Sequence, residues 1–346
     1  MTQKAIVLKC PKQAVLATDH PVPALRDDYL LVQTVAVAVN PTDWKHVDFL
    51  APRGVTVGCD YAGVVEEVGA EVKKQFRKGD RVCGFAHGCN SDNLEDGAFA
   101  EHIVVKGDVQ MHIPANLSFE QAATLGVGIN TVAQGLYQSL GLAWPTEPLS
   151  EPIPILIYGG STATGTLAIQ FAKLSGYTVY ATCSPRNFNL VKELGADHVF
   201  DYNDANSPAE IRKVTNNNLK LVFDTVATES SAKFCGDALS EDGGDYSSLL
   251  AVKVPRKDVK SRYTLAYTVI GEAFDFGATP IPAKPEDKAF AEKFLPVAER
   301  LLAEGKVRPH PQTVGAGGLR GVLDGMQQMR EGKVSGEKLV YRVGET

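Results

Sequence analysis

Apolar residues in the first hundred positions come in short, valine- and isoleucine-rich runs, at Lys4–Lys9, Tyr29–Val39, Ala62–Val68, Asp80–Phe85 and Glu101–Val105. Pro, Gly and Asp separate these runs at the spacing of a small all-β body. From about Phe119 the period lengthens. The segment SFEQAATLGVGINTVAQGLYQSL opens with Ser118 as N-cap and Glu120 in the first turn, which predicts a helix. A Pro-rich loop, Trp144–Pro154, then leads to strands near Val179, His198–Phe200, Leu219–Val226 and Tyr246–Lys253, alternating with helices over Asn189–Leu194 and Pro208–Val214. Such alternation predicts a parallel sheet with right-handed crossovers. Phe290–Ala303 adds an amphipathic helix. The tail, Leu319–Arg330 followed by KLVYRV, reads as a helix and a closing strand that returns to the β body. The fold class predicted is α/β, in two domains.

The stretch Ile153–Asn187, IPILIYGGSTATGTLAIQFAKLSGYTVYATCSPRN, carries the most specific signal. It reads as strand, glycine turn, helix and second strand, the order of a dinucleotide-binding unit in which a pyrophosphate sits at the positive end of a helix dipole. The glycine motif is Gly160, Thr162, Gly165, with Thr at the middle position. Ser161, Thr162 and Thr164 offer hydroxyls and amides to phosphate oxygens in its place. The same glycines would serve a turn that only packs a helix on a sheet; the agreement of strand, turn and helix favours the cofactor. Roughly 20 residues on, an NAD protein places Asp or Glu on the ribose hydroxyls. This chain has Ser184-Pro185-Arg186-Asn187 there, which suits a 2′-phosphate and predicts NADPH.

Composition narrows the partners. The formal net charge is −6, which gives no electrostatic case for nucleic acid or an anionic membrane surface. No apolar run reaches the roughly 20 residues that cross a bilayer, and the first thirty residues lack a signal-type apolar core. The six cysteines are scattered without a CxxC pair, as expected for reduced thiols in a cytoplasmic protein.

The β body, the glycine-motif domain and the C-terminal return, with GCDYAGVVEEVG, KKQFRKGDRVCGF and GAFAEHIVV, together resemble the medium-chain dehydrogenase/reductase superfamily over essentially the whole chain. The resemblance implies a GroES-like catalytic domain over residues 1–120 and 295–346 and a Rossmann NADPH-binding domain over 121–294. Zinc alcohol dehydrogenases of that superfamily carry Gly-His-Glu where this chain has Gly58-Cys59-Asp60. Their first cysteine ligand falls on the turn Asn40-Pro41-Thr42-Asp43, and their third near Leu125–Val127, where no Cys, His or Asp occurs. Catalytic zinc needs three protein ligands, so no metal is expected. His87, His102 and His112 are dispersed, as surface or strand-packing residues are.

The string YGGSTATGTLAIQFAKLSGY, with ATCSPRN, LGAD and FDY after it, resembles the trans-acting enoyl reductases that partner fungal highly reducing polyketide synthases. That resemblance implies NADPH-dependent, zinc-independent reduction of the α,β-unsaturated thioester of a carrier-bound polyketide, with the synthase as partner. Two alternatives stay open: a stand-alone quinone or enone reductase, and an NADPH-binding assembly partner without turnover. A monomer is preferred over a dimer.

The site residues follow from the same resemblance. It puts Thr42, Asp43, Trp44 and Lys45 beside the nicotinamide end of NADPH, with Thr42 and Lys45 the catalytic candidates. It gives Ser161, Thr162, Ala163 and Thr164 to the pyrophosphate, Ser184, Pro185, Arg186 and Asn187 to the 2′-phosphate, and Tyr202 to the adenine edge. Leu249 and Leu250 are implied to approach the nicotinamide by backbone, and Val334 and Ser335 to touch the cofactor from the other domain. Gly126, Val127, Gly128, Ile129, Asn130, Thr131, Val132 and Ala133 are implied to line the substrate cleft, with Thr268, Val269, Ile270, Gly271 and Glu272. Lys45 reads equally as an exposed, solvated lysine. Tyr61 has the chemistry of a proton donor and, more readily, the pattern of a packed core aromatic.

Overall fold

The structure is a computed structural model that describes residues 1–344. It divides into two compact units, Met1–Asn130 with Tyr267–Thr346, and Thr131–Ala266.

The first unit is built on the strand Tyr29–Ala38, whose alternation buries Leu30, Val32, Val37 and Ala38. It pairs antiparallel with Asp60–Val68, with His102–Lys106 and with the closing strand Lys338–Arg342. Arg81–Phe85 and Gln110–His112 extend the sheet on one side, and Gln312–Gly315 adds a parallel edge on the other. A separate hairpin, Thr2–Cys10 with Gln13–Pro21, is joined by bridges from Ala5 to Ala100 and from Val7 to Thr56. One apolar cluster fills the unit, including Ile6, Tyr61, Phe99, Ile103 and Tyr341, and the helix Gly318–Arg330 lays Leu319, Val322 and Met326 onto it.

The second unit carries six parallel strands. In spatial order they are His198–Asp201, Thr178–Cys183, Pro154–Tyr158, Leu221–Asp224, Gly244–Ser248 and Val259–Tyr263. By chain order within the unit this is 3-2-1-4-5-6, the order of the dinucleotide-binding fold.

Two expectations shift. The helix expected from Phe119 is broken into Phe119–Ala122, Gly126–Val132 and a wide π turn over Ala133–Ser139. The expected helix Phe290–Ala303 starts at Pro285, because Pro fits the first helical position and Glu286 and Asp287 suit the first turn. The two compact units divide at 130/131 and 266/267; the domain bounds that the resemblance implies lie at 120/121 and 294/295. Residues 267–294 join the first unit because side chains pin them there: Tyr29 Oη donates to Glu272 at 3.1 Å, and Lys106 forms an ion pair with Glu272.

Candidate active site

The strand Pro154–Tyr158 ends at Gly159, whose φ of +79° is left-handed backbone that glycine adopts without a Cβ penalty. Gly165 is the second fixed point. A Cβ there would lie 2.2 Å from the Gly159 carbonyl oxygen, so glycine lets the helix Ala163–Leu174 close onto the strand end. Thr162 caps that helix: its Oγ1 accepts from the Gly165 amide at 2.9 Å and lies 2.9 Å from Thr225 Oγ1. The Thr162 hydroxyl is thus engaged inside the protein. What the helix end offers an anion is the amides of its first turn, at the positive end of the dipole. Asn187 Nδ2 donates to Ser161 Oγ at 3.1 Å, tying the loop after the second strand to the glycine turn. Arg186 stands exposed on that loop, beside half-buried Ser184 and exposed Pro185. Tyr202 is 43% exposed, its ring 6.3 Å from that of Tyr158. Ser248 Oγ donates to the Leu250 carbonyl at 2.8 Å and so shapes the Leu249-Leu250 strand end.

In the first unit, the helix Pro41–Phe49 begins at Asn40. The Asn40 amide donates to Asp43 Oδ2 at 2.7 Å, and its side chain donates to Asp60 Oδ2 at 2.9 Å. Lys338 forms a buried ion pair with Asp60 and also donates to Asn40 Oδ1 at 2.8 Å. Asp60 Oδ1 in turn accepts the Val127 amide at 2.6 Å. Asp43 is 1% exposed and caps the turn from inside; burial, partly offset by the Asn40 amide, pushes its carboxyl up to about 7.

Tyr267 completes this cluster. Its Oη lies 2.8 Å from Thr42 Oγ1, 3.4 Å from Cys59 Sγ and 3.4 Å from His46 Nδ1. Its ring is boxed in by His87 at 4.8 Å, His46 at 5.2 Å, Phe85 at 5.3 Å and Phe276 at 5.8 Å. Burial pushes the Cys59 thiol and the Tyr267 phenol up, so both keep their protons. It lowers His46 to about 4 and His87 to about 3, so both imidazoles are neutral at pH 7. Among the described residues no group of three or more His, Cys, Asp or Glu side chains is arranged to hold a metal ion.

Comparison with known proteins decides the family. The alcohol dehydrogenase GroES-like domain matches residues 26–115, and the zinc-binding dehydrogenase domain matches residues 163–249. The chain is 64% identical over 272 residues to trans-enoyl reductase TOXD of Cochliobolus carbonum, covering 79% of this chain and 92% of that protein. It is 50% identical over 357 residues to trans-enoyl reductase resD of Aspergillus sclerotiorum, covering 98% and 100%. The chain belongs to the fungal trans-enoyl reductases. It is a medium-chain dehydrogenase/reductase, an oxidoreductase acting on carbon–carbon double bonds with a nicotinamide dinucleotide. An alcohol dehydrogenase superfamily protein from Novosphingobium aromaticivorans shares the fold, with a TM-score of 0.82 at 23% identity over 99% of this chain and 100% of that one.

The other sequence-predicted residues of this trans-enoyl reductase fall into two groups. Lys45 is exposed, its Nζ 5.8 Å from the Trp44 ring, and Trp44 is half-buried between Phe49 and Arg330. Val334 packs against the core of the first unit, next to exposed Ser335 in the chain. The second group is held by packing. Gly126, Gly128, Ile129, Asn130, Thr131 and Val132 are buried along their helix, with Val127 half-buried and Ala133 buried at the start of the π turn, and Asn130 Nδ2 donates to the Gly126 carbonyl at 3.0 Å. Thr268 gives its hydroxyl to Asp287, and Val269 and Ile270 are buried. Gly271 turns the chain at a φ of +77°, and Glu272 binds Lys106 and Tyr29. Tyr61 is a core residue: it is fully buried, and its hydroxyl donates to Gln110 Oε1 at 2.9 Å. His87, expected as a surface or strand-packing residue, is buried against Tyr267.

Sequence reasoning missed Tyr267, His46 and Lys338. Tyr267 lies 225 residues from Thr42, and no local pattern marks it. A lysine in the strand KLVYR, where the flanking positions are apolar, was the one available hint for Lys338.

Proposed function

We propose that this protein is an NADPH-dependent, zinc-independent enoyl reductase that acts in trans on the α,β-unsaturated thioester of a polyketide held on a carrier protein, with the polyketide synthase as partner. Its relatives are named trans-enoyl reductases, which supports the reaction class and the in-trans mode. The observation that carries the cofactor choice is the Asn187–Ser161 bond, which holds Arg186 beside the glycine turn on a loop with no carboxylate. NADPH supplies the hydride when bound. Ser161, Ala163 and Thr164 would meet the pyrophosphate with amides and hydroxyls, Ser184 and Arg186 the 2′-phosphate, and Tyr202 the adenine. Zinc independence is supported by the donor set: Cys59, at a ligand position of the zinc enzymes, lies against the Tyr267 hydroxyl, and among the described residues no group of three or more His, Cys, Asp or Glu side chains is arranged to hold a metal ion. An enoyl thioester, already electron-poor, gathers charge on its carbonyl oxygen as the β-carbon is reduced. A hydrogen-bond donor must meet that oxygen, and Thr42 and Lys45 are the residues proposed for this.

The test is NADPH oxidation with an enoyl-pantetheine thioester, with quinones and with neither, on protein assayed for metal. Turnover of the thioester by zinc-free protein is the expected result. Turnover of quinones alone, or tight NADPH binding with no turnover, would replace this reading with one of its alternatives.

A further inference from the structure

We propose that Tyr267 is a positioning residue: it donates its phenolic hydrogen to Thr42 Oγ1 and thereby turns the Thr42 hydroxyl into a preset, polarised donor for the thioester oxygen. The proposal rests on the reading of Thr42 given above.

Three observations carry it. The first is convergence. In zinc alcohol dehydrogenases the turn matching Asn40–Asp43 and the position matching Cys59 both supply ligands to one ion. Here Thr42 Oγ1 and Cys59 Sγ both lie against one hydroxyl, at 2.8 and 3.4 Å. The second is hydrogen accounting. Only the Thr42 contact has the length of a strong O–H···O bond; the contacts at 3.4 Å are weak. Either hydroxyl of this pair can donate; the phenol, the more acidic of the two, is assigned as donor, so that Thr42 keeps its own hydrogen for another acceptor. A hydroxyl that accepts such a bond donates more strongly, because successive hydrogen bonds polarise one another. The third is rigidity. The Tyr267 ring is held among His46, Phe85, His87 and Phe276, and Tyr267 is 5% exposed, whereas Thr42 is half-buried. A donor fixed before the reaction needs no reorganisation when charge develops, and this is what makes an oxyanion site effective. Tyr267 thus acts through Thr42 where the zinc enzymes use a Lewis acid.

The experiment is a double-mutant cycle on the full chain with an enoyl-pantetheine thioester, reading kcat and KM separately, NADPH affinity, and thermal unfolding of cofactor-free protein. Thr42→Ala is expected to lower kcat by about 100-fold and Tyr267→Phe by about tenfold, with KM and NADPH affinity little changed. The double variant should be no slower than Thr42→Ala alone, since the two hydroxyls form one unit. Full activity in Tyr267→Phe with a large loss in Thr42→Ala would overturn the role of Tyr267 and leave the proposed function standing. Multiplying losses would overturn it equally. Full activity in Thr42→Ala would instead remove Thr42 from the proposed mechanism. Should Tyr267→Phe fail to fold, Thr42→Ser against Thr42→Val decides. Serine, which still accepts from Tyr267, is expected to keep both rate and unfolding temperature, and valine to lose both. Equal losses in the two would overturn the proposal.

Discussion

Asn187 Nδ2 donates to Ser161 Oγ at 3.1 Å, so the loop after the second strand of the parallel sheet, proposed to meet the 2′-phosphate, is fastened to the glycine turn. Arg186 is the one cation of the Ser184–Asn187 loop. Arg186→Ala is expected to weaken NADPH binding by roughly ten- to a hundredfold, the usual worth of a charge-assisted bond, and to leave NADH nearly unchanged. Titration of both cofactors checks this; equal losses would show that Arg186 does not meet the 2′-phosphate.

Gly165→Ala tests the cradle itself. The added Cβ would sit 2.2 Å from the Gly159 carbonyl oxygen, a backbone atom that cannot step aside without moving the glycine turn. The variant should lose about 1–3 kcal/mol of stability and most of its dinucleotide affinity. Urea unfolding and cofactor titration report the two effects; an unchanged affinity would mean that the helix end is not where the pyrophosphate binds.

Lys338→Met removes one partner of the buried pair with Asp60 and strands a carboxylate that is 0% exposed. A loss of about 3–5 kcal/mol is expected. Pairing Lys338→Met with Asp60→Leu should recover part of that loss, because no unpaired charge then remains in the interior. Chemical unfolding of the three proteins measures it.

Stability should fall on acidification below neutrality. His46, His87 and His310 are lowered by burial to about 4, about 3 and about 3. The unfolded chain therefore takes up protons below 6.5 that the folded chain refuses, and the histidine contribution, complete above 6.5, is lost as pH falls. Asp43 and Asp96 oppose this. Burial raises them from 3.8 to about 7 and about 6, so stability from them is complete below 3.8 and lost as pH rises. Three groups against two leave a net fall toward acid, up to about 1.4 kcal/mol per pH unit between 6 and 4. His87→Gln should flatten the dependence of the urea midpoint on pH, and Asp43→Asn should steepen it. Identical slopes in all three proteins would show that neither group is perturbed as described.

Much of the architecture was legible in the chain. The alternation in Tyr29–Val39 and the strand–glycine–helix run after Pro154 are local patterns, set by side-chain period and turn chemistry within a few residues, and the corresponding elements stand where those patterns put them. Short edge elements were less legible. Gln13–Pro21 and Gln312–Gly315 carry few buried residues, so they show almost no apolar alternation.

The sequence by itself determined the strand–glycine–helix unit of the dinucleotide-binding fold, because strand, turn and helix are written in consecutive residues. Only the tertiary structure decided what surrounds the Asn40–Asp43 turn. The antiparallel register that sets Val340 against Ala38, and Ala38 against Asp60, brings Lys338, Asn40 and Asp60 to one strand end from distant parts of the chain. Tyr267 reaches Thr42 in the same way, across 225 residues. Such partners are fixed by sheet register and by the packing of the 267–294 segment on the first unit. No local periodicity encodes either.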